Sequence, residues 1–132
     1  MIFADSSIWI DYFNGKVTAQ TEFLNGILGK EHVVLGDLVL MEVLQGFRND
    51  RDFATARELL ASLPVFDLLG TTMAIRSAKN FRKLRRRGIT IRKTIDVIIA
   101  TYCIEHTLPL LHADKDFEPF HEHLNLIRAV ST

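Results

Sequence analysis

Met1-Ile2-Phe3-Ala4-Asp5-Ser6-Ser7 opens the chain as an apolar run that ends abruptly in a carboxylate and two hydroxyls. Read as a buried strand, Ile2 to Ala4 belong to a core, and Asp5 stands at the carboxyl end of the strand. Ser6 or Ser7 then caps the helix suggested by Ile8-Trp9-Ile10-Asp11-Tyr12-Phe13. A charged group at the C-terminal tip of a central strand is where open α/β sheets place their chemistry. The competing reading is that Asp5 merely caps that helix. The choice turns on whether other carboxylates reach the same edge.

Working outward, Asn14-Gly15 stops the first helix, and a second amphipathic stretch runs from about Thr18 to Leu28 before Gly29. Val33-Val34-Leu35 is a short apolar strand closed by Gly36, and Asp37 is placed to cap a helix through Leu44 that ends near Gly46. Asp50 or Asp52 starts another helix, with Phe53, Ala56, Leu59, Leu60 and Leu63 on one face, and Pro64 ends it. Val65 to Leu69 reads as a third strand. Thr71 or Thr72 opens a long helix with Ala74, Ala78, Phe81 and Leu84 as its apolar positions, and Gly88 terminates it. Thr94 caps a very apolar helix through about Glu105. Pro109-Leu110-Leu111 is a buried strand, and Leu124-Asn125-Leu126-Ile127 a last short one. Strands that are continuous apolar runs alternating with helices imply a mostly parallel sheet covered on both faces. The expected fold is therefore a three-layer α/β/α domain with about five short strands, spanning residues 1–132 as one unit.

Composition narrows the function classes. Apolar residues make up 48% and charged residues 24%, which excludes a disordered chain. No apolar run approaches the roughly 18 residues of a membrane span, and the N-terminus carries Asp5 and Asp11 in place of a basic leader. One cysteine, Cys103, forbids an internal disulfide and fits a reducing cytoplasm; its apolar neighbours make it a small core residue. Sixteen basic and sixteen acidic residues cancel, yet nine of the sixteen basic residues fall in the eighteen positions from Arg76 to Lys93, with no acid among them. On the long helix Arg76, Lys79, Lys83 and Arg86 form a basic stripe, so a zero total conceals a dipolar surface.

Four acids sit where a bland sequence avoids them. Asp5 follows the first strand, Glu42 interrupts Leu40-Met41 and Val43-Leu44, Asp96 lies in the first turn of the most apolar helix, and Asp114 follows Leu110-Leu111. Charges in such settings are costly unless something pairs them. In a parallel sheet Asp5, Glu42 and Asp114 share the C-terminal edge, and Asp96 joins them if its helix starts there. Each has an ordinary explanation alone: a helix dipole for Asp96, a turn for Asp114 and Asp116. Together they repel, by about 4 kcal/mol per pair at about 4 Å and an effective dielectric near 20, and need a cation. Oxygen-only ligation selects Mg²⁺ or Mn²⁺ over zinc, and such ions serve phosphodiester hydrolysis. His112 is better read as a neighbouring polar or core residue than as a ligand. His32, His106, His121 and His123 show no metal spacing.

These residues resemble the motifs of a known family, the PIN-domain nucleases. Met1 to Asp11 is similar to their opening motif, Leu40-Met41-Glu42-Val43-Leu44-Gln45-Gly46-Phe47 to the second, Arg92 to Ala100 to the third, and Leu110 to Phe117 to the fourth. The similarity runs in order over essentially the whole chain and is nearest the VapC-like toxins of bacterial toxin–antitoxin pairs. It implies a Mg²⁺- or Mn²⁺-dependent endoribonuclease that cuts single-stranded or looped RNA, tRNA included. It also implies a homodimer held inactive by a VapB-like antitoxin. The resemblance makes Asp5, Glu42, Asp96 and Asp114 the metal-binding quartet, Asp116 an auxiliary acid, and Ser6 the hydroxyl that orders the site.

A cleft of carboxylates repels RNA phosphates, so basic residues beside it must supply the attraction. Arg92 and Lys93 at the cleft rim, and Arg86 from the stripe, are the candidates for substrate binding; the alternative for Arg82 to Arg87 is a solvated helix face. Trp9, Tyr12 and Phe13 are either core or an apolar groove for an antitoxin helix. A haloacid-dehalogenase-type phosphatase wants a second Asp two residues after the first, where this chain has Ser7. A receiver domain needs a mid-chain Asp and a late Lys after a strand, and no such pair is present. The remaining alternative is a PIN-like module that binds RNA or a protein without cutting.

Overall fold

The computed structural model describes residues 1–130. Its core is a sheet of four strands, β1 (Ile2–Ala4), β2 (Val33–Gly36), β3 (Val65–Phe66) and β4 (Leu110–Leu111), in the order β3-β2-β1-β4. Every pairing is parallel: Ile2 sits opposite Val33, Phe3 opposite Leu110, and Leu35 opposite Val65. Strands β1, β2 and β4 are buried along their whole length, which is why each reads as a short continuous apolar run. Edge strand β3 is different, with Val65 exposed and Phe66 half-buried.

Seven helices complete the three-layer α/β/α architecture: α1 (Ser6–Phe13), α2 (Ala19–Ile27), α3 (Asp37–Gln45), α4 (Asp50–Ala61), α5 (Thr71–Arg86), α6 (Thr94–Glu105) and α7 (Glu118–His123). All strands run the same way, so all four C-terminal tips fall on one edge. There the chain leaves β1 into α1, β2 into α3, and β4 into the loop that carries Asp114. Because β2 lies on one side of β1 and β4 on the other, Asp5 sits at the topological switch point, where open α/β sheets form their crevice.

Several expectations are corrected. Among the described residues the sheet has four strands, not about five: Leu124 to Leu126 is irregular, with Asn125 at φ 64°, and what stands there for a fifth strand is a single parallel bridge from Leu110 to Arg128. The segment before it forms α7, because Pro119 in the first turn suits a helix start. Neither Ser6 nor Ser7 caps α1, since Asp5 does so by accepting from the Ser7 N–H. Asp37 lies inside α3, whose cap residue is Gly36, and its Oδ1 accepts from the Leu68 N–H at 3.2 Å, tying the loop after β3 to the sheet edge. Asn49 caps α4. Thr71 opens α5 as expected, after Gly70, whereas the cap residue of α6 is Lys93 in place of the expected Thr94; neither end has a side-chain cap bond.

The buried side of α5 is not the alanine row. Ala74 and Ala78 are exposed, whereas Ser77, Asn80 and Leu84 face inward, and the Asn80 amide donates to Thr101 Oγ1 of α6 at 3.0 Å. A paired amide and hydroxyl are tolerable in an interior where single ones are not. That lock holds α6, and with it Asp96, in place. Trp9 is fully buried, stacked on Phe13 and edge-on to Tyr12, so it is core and not groove.

Gly36 closes β2 where Leu68 crosses it, and a Cβ there would overlap the Leu68 side chain. Gly36→Ala is therefore expected to destabilise the fold by about 1–3 kcal/mol, the usual cost of overpacking a core. A urea midpoint equal to that of the parent protein would show that Leu68 moves away freely.

Candidate functional site

Asp5 is 2% exposed and uses its two oxygens differently. Oδ2 accepts from the Ser7 backbone N–H at 3.0 Å and from the Ser7 hydroxyl at 2.7 Å. Oδ1 is buried without a hydrogen-bond partner among the described residues. The carboxylate is thus both the cap of α1 and a free ligand oxygen. Burial pushes its pKa up to about 6, the Ser7 bonds oppose that rise, and the Glu42 charge adds to it.

Glu42 projects from α3 toward α1, where the Ser6 hydroxyl donates to its Oε1 at 3.1 Å. The Ser6 hydroxyl thus ties Glu42 to the start of α1. Ser7, which the sequence reading passed over, does more: besides holding Asp5 it accepts the Ala113 N–H at 3.0 Å, joining the ends of β1 and β4. Its only signal in the sequence was a second serine after the strand-end acid.

Asp96 lies in the first turn of α6, 5% exposed, with Oδ2 buried and unpartnered among the described residues. Its pKa is raised to about 7, chiefly by burial and then by the charges of Asp5, Asp114 and Glu42, with Lys93 opposing. The other three acids of the quartet therefore all act on Asp96. Asp114 caps a 3-10 turn over Lys115–Phe117 by accepting the Asp116 N–H at 2.9 Å. Asp96, Asp114 and Asp116 each present an oxygen, and these oxygens lie within 4.8 Å of one another. Asp116 thus lies in the cluster beside Asp96 and Asp114.

Among the basic candidates, Arg92 reaches Asp116 at 3.3 Å and Lys93 reaches Asp114 at 3.9 Å, both from largely exposed positions. Arg86 is elsewhere. It lines a cavity of about 600 Å³ with Lys83, Arg87, His123 and Asn125. Cys103 is buried beneath the site, and burial pushes its thiol up, so it stays a neutral core group.

His112 and His121 meet across the loop, Nε2 to Nε2 at 2.9 Å with their rings nearly parallel. Burial lowers the pKa of both, that of His112 to about 4 with the His121 charge adding. This pair was not legible at a separation of nine residues, because the intervening turn of α7 was not foreseen.

Chemically, the edge offers five carboxylates and two buried unpartnered oxygens with no nitrogen or sulfur donor in the group. Such a donor set suits a hard divalent cation such as Mg²⁺ or Mn²⁺. Without one, burial and the neighbouring charges hold the pKa of Asp5 and of Asp96 well above the usual carboxylate range.

The PIN domain matches residues 2–121. A VapC ribonuclease of Mycobacterium bovis is 28% identical over 120 residues, covering 89% of this chain and 90% of that protein. Ribonuclease VapC11 of Mycobacterium tuberculosis gives the same identity and coverage. Among solved structures, VapBC2 from Rickettsia felis bound to a promoter DNA fragment superposes with a TM-score of 0.76 at 18% identity over 100% of both chains. DNA-bound VapBC from Salmonella typhimurium gives 0.71 at 22% identity, covering 97% of this chain and 96% of that one. VapC20 of Mycobacterium tuberculosis, described as a Sarcin-Ricin loop cleaving toxin, gives 0.64 at 17% identity over 89% of this chain and 93% of that one.

Proposed function

Because this chain belongs to the PIN-domain family, we propose that it is a VapC-like toxin, a metal-dependent endoribonuclease that hydrolyses phosphodiester bonds in single-stranded or looped RNA, with tRNA among the candidates. The observation that carries this reading is the clustering of Asp96, Asp114 and Asp116 oxygens within 4.8 Å beside the unpartnered oxygens of Asp5 and Asp96. Asp5, Glu42, Asp96 and Asp114 are the catalytic acids that would hold Mg²⁺ or Mn²⁺, with Asp116 assisting. When bound, such an ion activates water and neutralises charge on the scissile phosphate.

The chain's own residues do the rest. Ser6 and Ser7 orient Glu42 and Asp5 by donating hydrogen bonds to them. Arg92 and Lys93 draw phosphates toward an acidic edge, and Arg86, with Lys83 and Arg87, extends that attraction along α5. The partners proposed are RNA, a second copy of the chain, and a VapB-like antitoxin that neutralises it in the cytoplasm. The neighbouring VapBC structures support the antitoxin, as do Ile10 on α1 and Met41 on α3, apolar and exposed on two helices in contact. No helix among the described residues is long and apolar enough to cross a membrane.

The test is cleavage of single-stranded RNA by the purified chain. Activity should vanish in EDTA and return with Mg²⁺ or Mn²⁺. Activity indifferent to EDTA would refute the metal role. RNA bound but never cut, in any metal, would favour the alternative of a PIN-like binding module.

Arg92→Glu should raise KM for RNA and flatten its salt dependence, by about 0.7 in log–log slope for one lost phosphate contact on a single strand. The melting temperature should hardly move, since the Arg92 side chain is 77% exposed. The same KM at every salt concentration would remove Arg92 from the substrate path.

A further inference from the structure

We propose a second cation site, formed by His112, His121 and Glu118, that takes a borderline ion such as Zn²⁺ and opposes metal binding at the acid cluster. One ligand atom from each of the three residues lies within 4.8 Å of the others. The two Nε2 atoms already face one another at 2.9 Å. Two imidazoles on one tetrahedral zinc stand about 3.3 Å apart, as bond lengths near 2.05 Å require, so the pair needs to open by only a few tenths of an ångström. His121 Nδ1 donates to the Leu126 carbonyl at 2.8 Å, which leaves the lone pair on Nε2 and fixes the ring as metal-ligating histidines are fixed.

Access is open on one side. His112 and Glu118 line a cavity of about 330 Å³ that also touches Asp114 and Arg128. Glu118 is doubly bonded to the Arg128 guanidinium, which holds its carboxylate in place. Arg128 also opposes a cation there, so the site must draw its affinity from the imidazoles. Those nitrogens favour Zn²⁺ over Mg²⁺, the reverse of the all-oxygen cluster.

The antagonism follows from proton placement. In the present network the Asp114 N–H donates to His112 Nδ1 at 3.2 Å, so the His112 proton sits on Nε2. A cation on Nε2 moves that proton to Nδ1, where two N–H groups then face each other. The Asp114 backbone loses its bond and the loop that carries an acid of the cluster is released. Zn²⁺ therefore weakens Mg²⁺ binding, and by linkage Mg²⁺ weakens Zn²⁺ binding by the same factor.

Calorimetric titration of the purified chain with ZnCl₂ in excess Mg²⁺ tests the site without RNA, so its outcome is separate from that of the nuclease reading. One Zn²⁺ per chain is expected, with Co²⁺ giving a tetrahedral visible spectrum in its place. His121→Gln should abolish that binding, and Glu118→Gln, at a partly exposed position that leaves the core intact, should weaken it about tenfold. No Zn²⁺ bound under excess Mg²⁺, or the same affinity in the parent and both variants, would overturn the site. Titrating Mn²⁺ by its electron paramagnetic resonance signal, with and without Zn²⁺, tests the antagonism. Weaker Mn²⁺ binding with Zn²⁺ present in the parent, but not in His121→Gln, supports it, and equal Mn²⁺ affinity in the parent, or the same weakening in His121→Gln, overturns it.

Discussion

Asp96→Asn is expected to lower RNA cleavage by about 10²–10³-fold or more, the scale of removing one group that stabilises transition-state charge, while raising the melting temperature of the metal-free protein. The two effects point in opposite directions for one reason. The folded Asp96 has a pKa raised to about 7, from 3.8 in an unperturbed chain, by burial and by the charges of Asp5, Asp114 and Glu42. Between those pH values the folded chain keeps a proton that the unfolded chain has released. Metal-free stability therefore falls as pH rises from about 4 to about 7, with a cost on the order of a few kcal/mol above that range. Asn carries no such cost and cannot bind a cation as well, so Mg²⁺ should stabilise the variant less. Calorimetric scans with and without Mg²⁺ across this pH range check both parts. A melting temperature unchanged at pH 8, together with full Mg²⁺ stabilisation, would mean that the acids do not form one site.

Trp9→Ala should lose about 3–5 kcal/mol, from a total that for such domains is about 5–15 kcal/mol. Trp9 is fully buried, with ring centroids 6.0 Å from Phe13 and 6.1 Å from Tyr12. Removing it empties the underside of α1, the helix that Asp5 caps and that carries Ser6 and Ser7. Loss of activity should follow from loss of fold. Trp9→Phe should keep most of the stability, because the indole Nε1 has no hydrogen-bond partner among the described residues to forfeit. Guanidinium unfolding of the three proteins decides this, and a cost for Ala under about 1 kcal/mol would place Trp9 outside the core.

What the sequence displayed plainly were features with a strong local cause. Ile2 to Ala4, Val33 to Leu35 and Leu110 to Leu111 had to be buried because they are uninterrupted apolar runs, and they form the buried strands β1, β2 and β4. Glu42 and Asp96 stood out because an acid in an apolar run demands an explanation. Cap residues were less legible, because Asp, Ser, Thr and Gly side by side offer the backbone nearly equal alternatives. The buried side of α5 was misread because an Asn80–Thr101 pair resembles two surface residues until both helices are in place. The fifth strand shrinks to one bridge: the segment lies alongside β4 only around Arg128, because Asn125 at φ 64° turns the backbone out of the extended form just before it. Likewise Ser7 and His121 act only through partners distant in the chain or beyond an unforeseen turn.

The parallel seam between β1 and β4 also governs when the acid cluster comes into being. The Asp5 N–H donates to the Leu111 carbonyl at 3.0 Å, and Ser7 to Ala113 is a contact across 106 positions of sequence. Closing so long a loop is slow and entropically expensive, and nothing local rewards it beforehand. A chain emerging from the ribosome carries Asp5 early, but the last acids arrive with residues 114 and 116 and the strand that seats them just before. Synthesis from the N-terminus thus delivers a polypeptide whose acids stay dispersed until residues 114 and 116 are free. Biosynthesis itself imposes a delay before the cluster exists, and within that interval a partner can be ready to receive it.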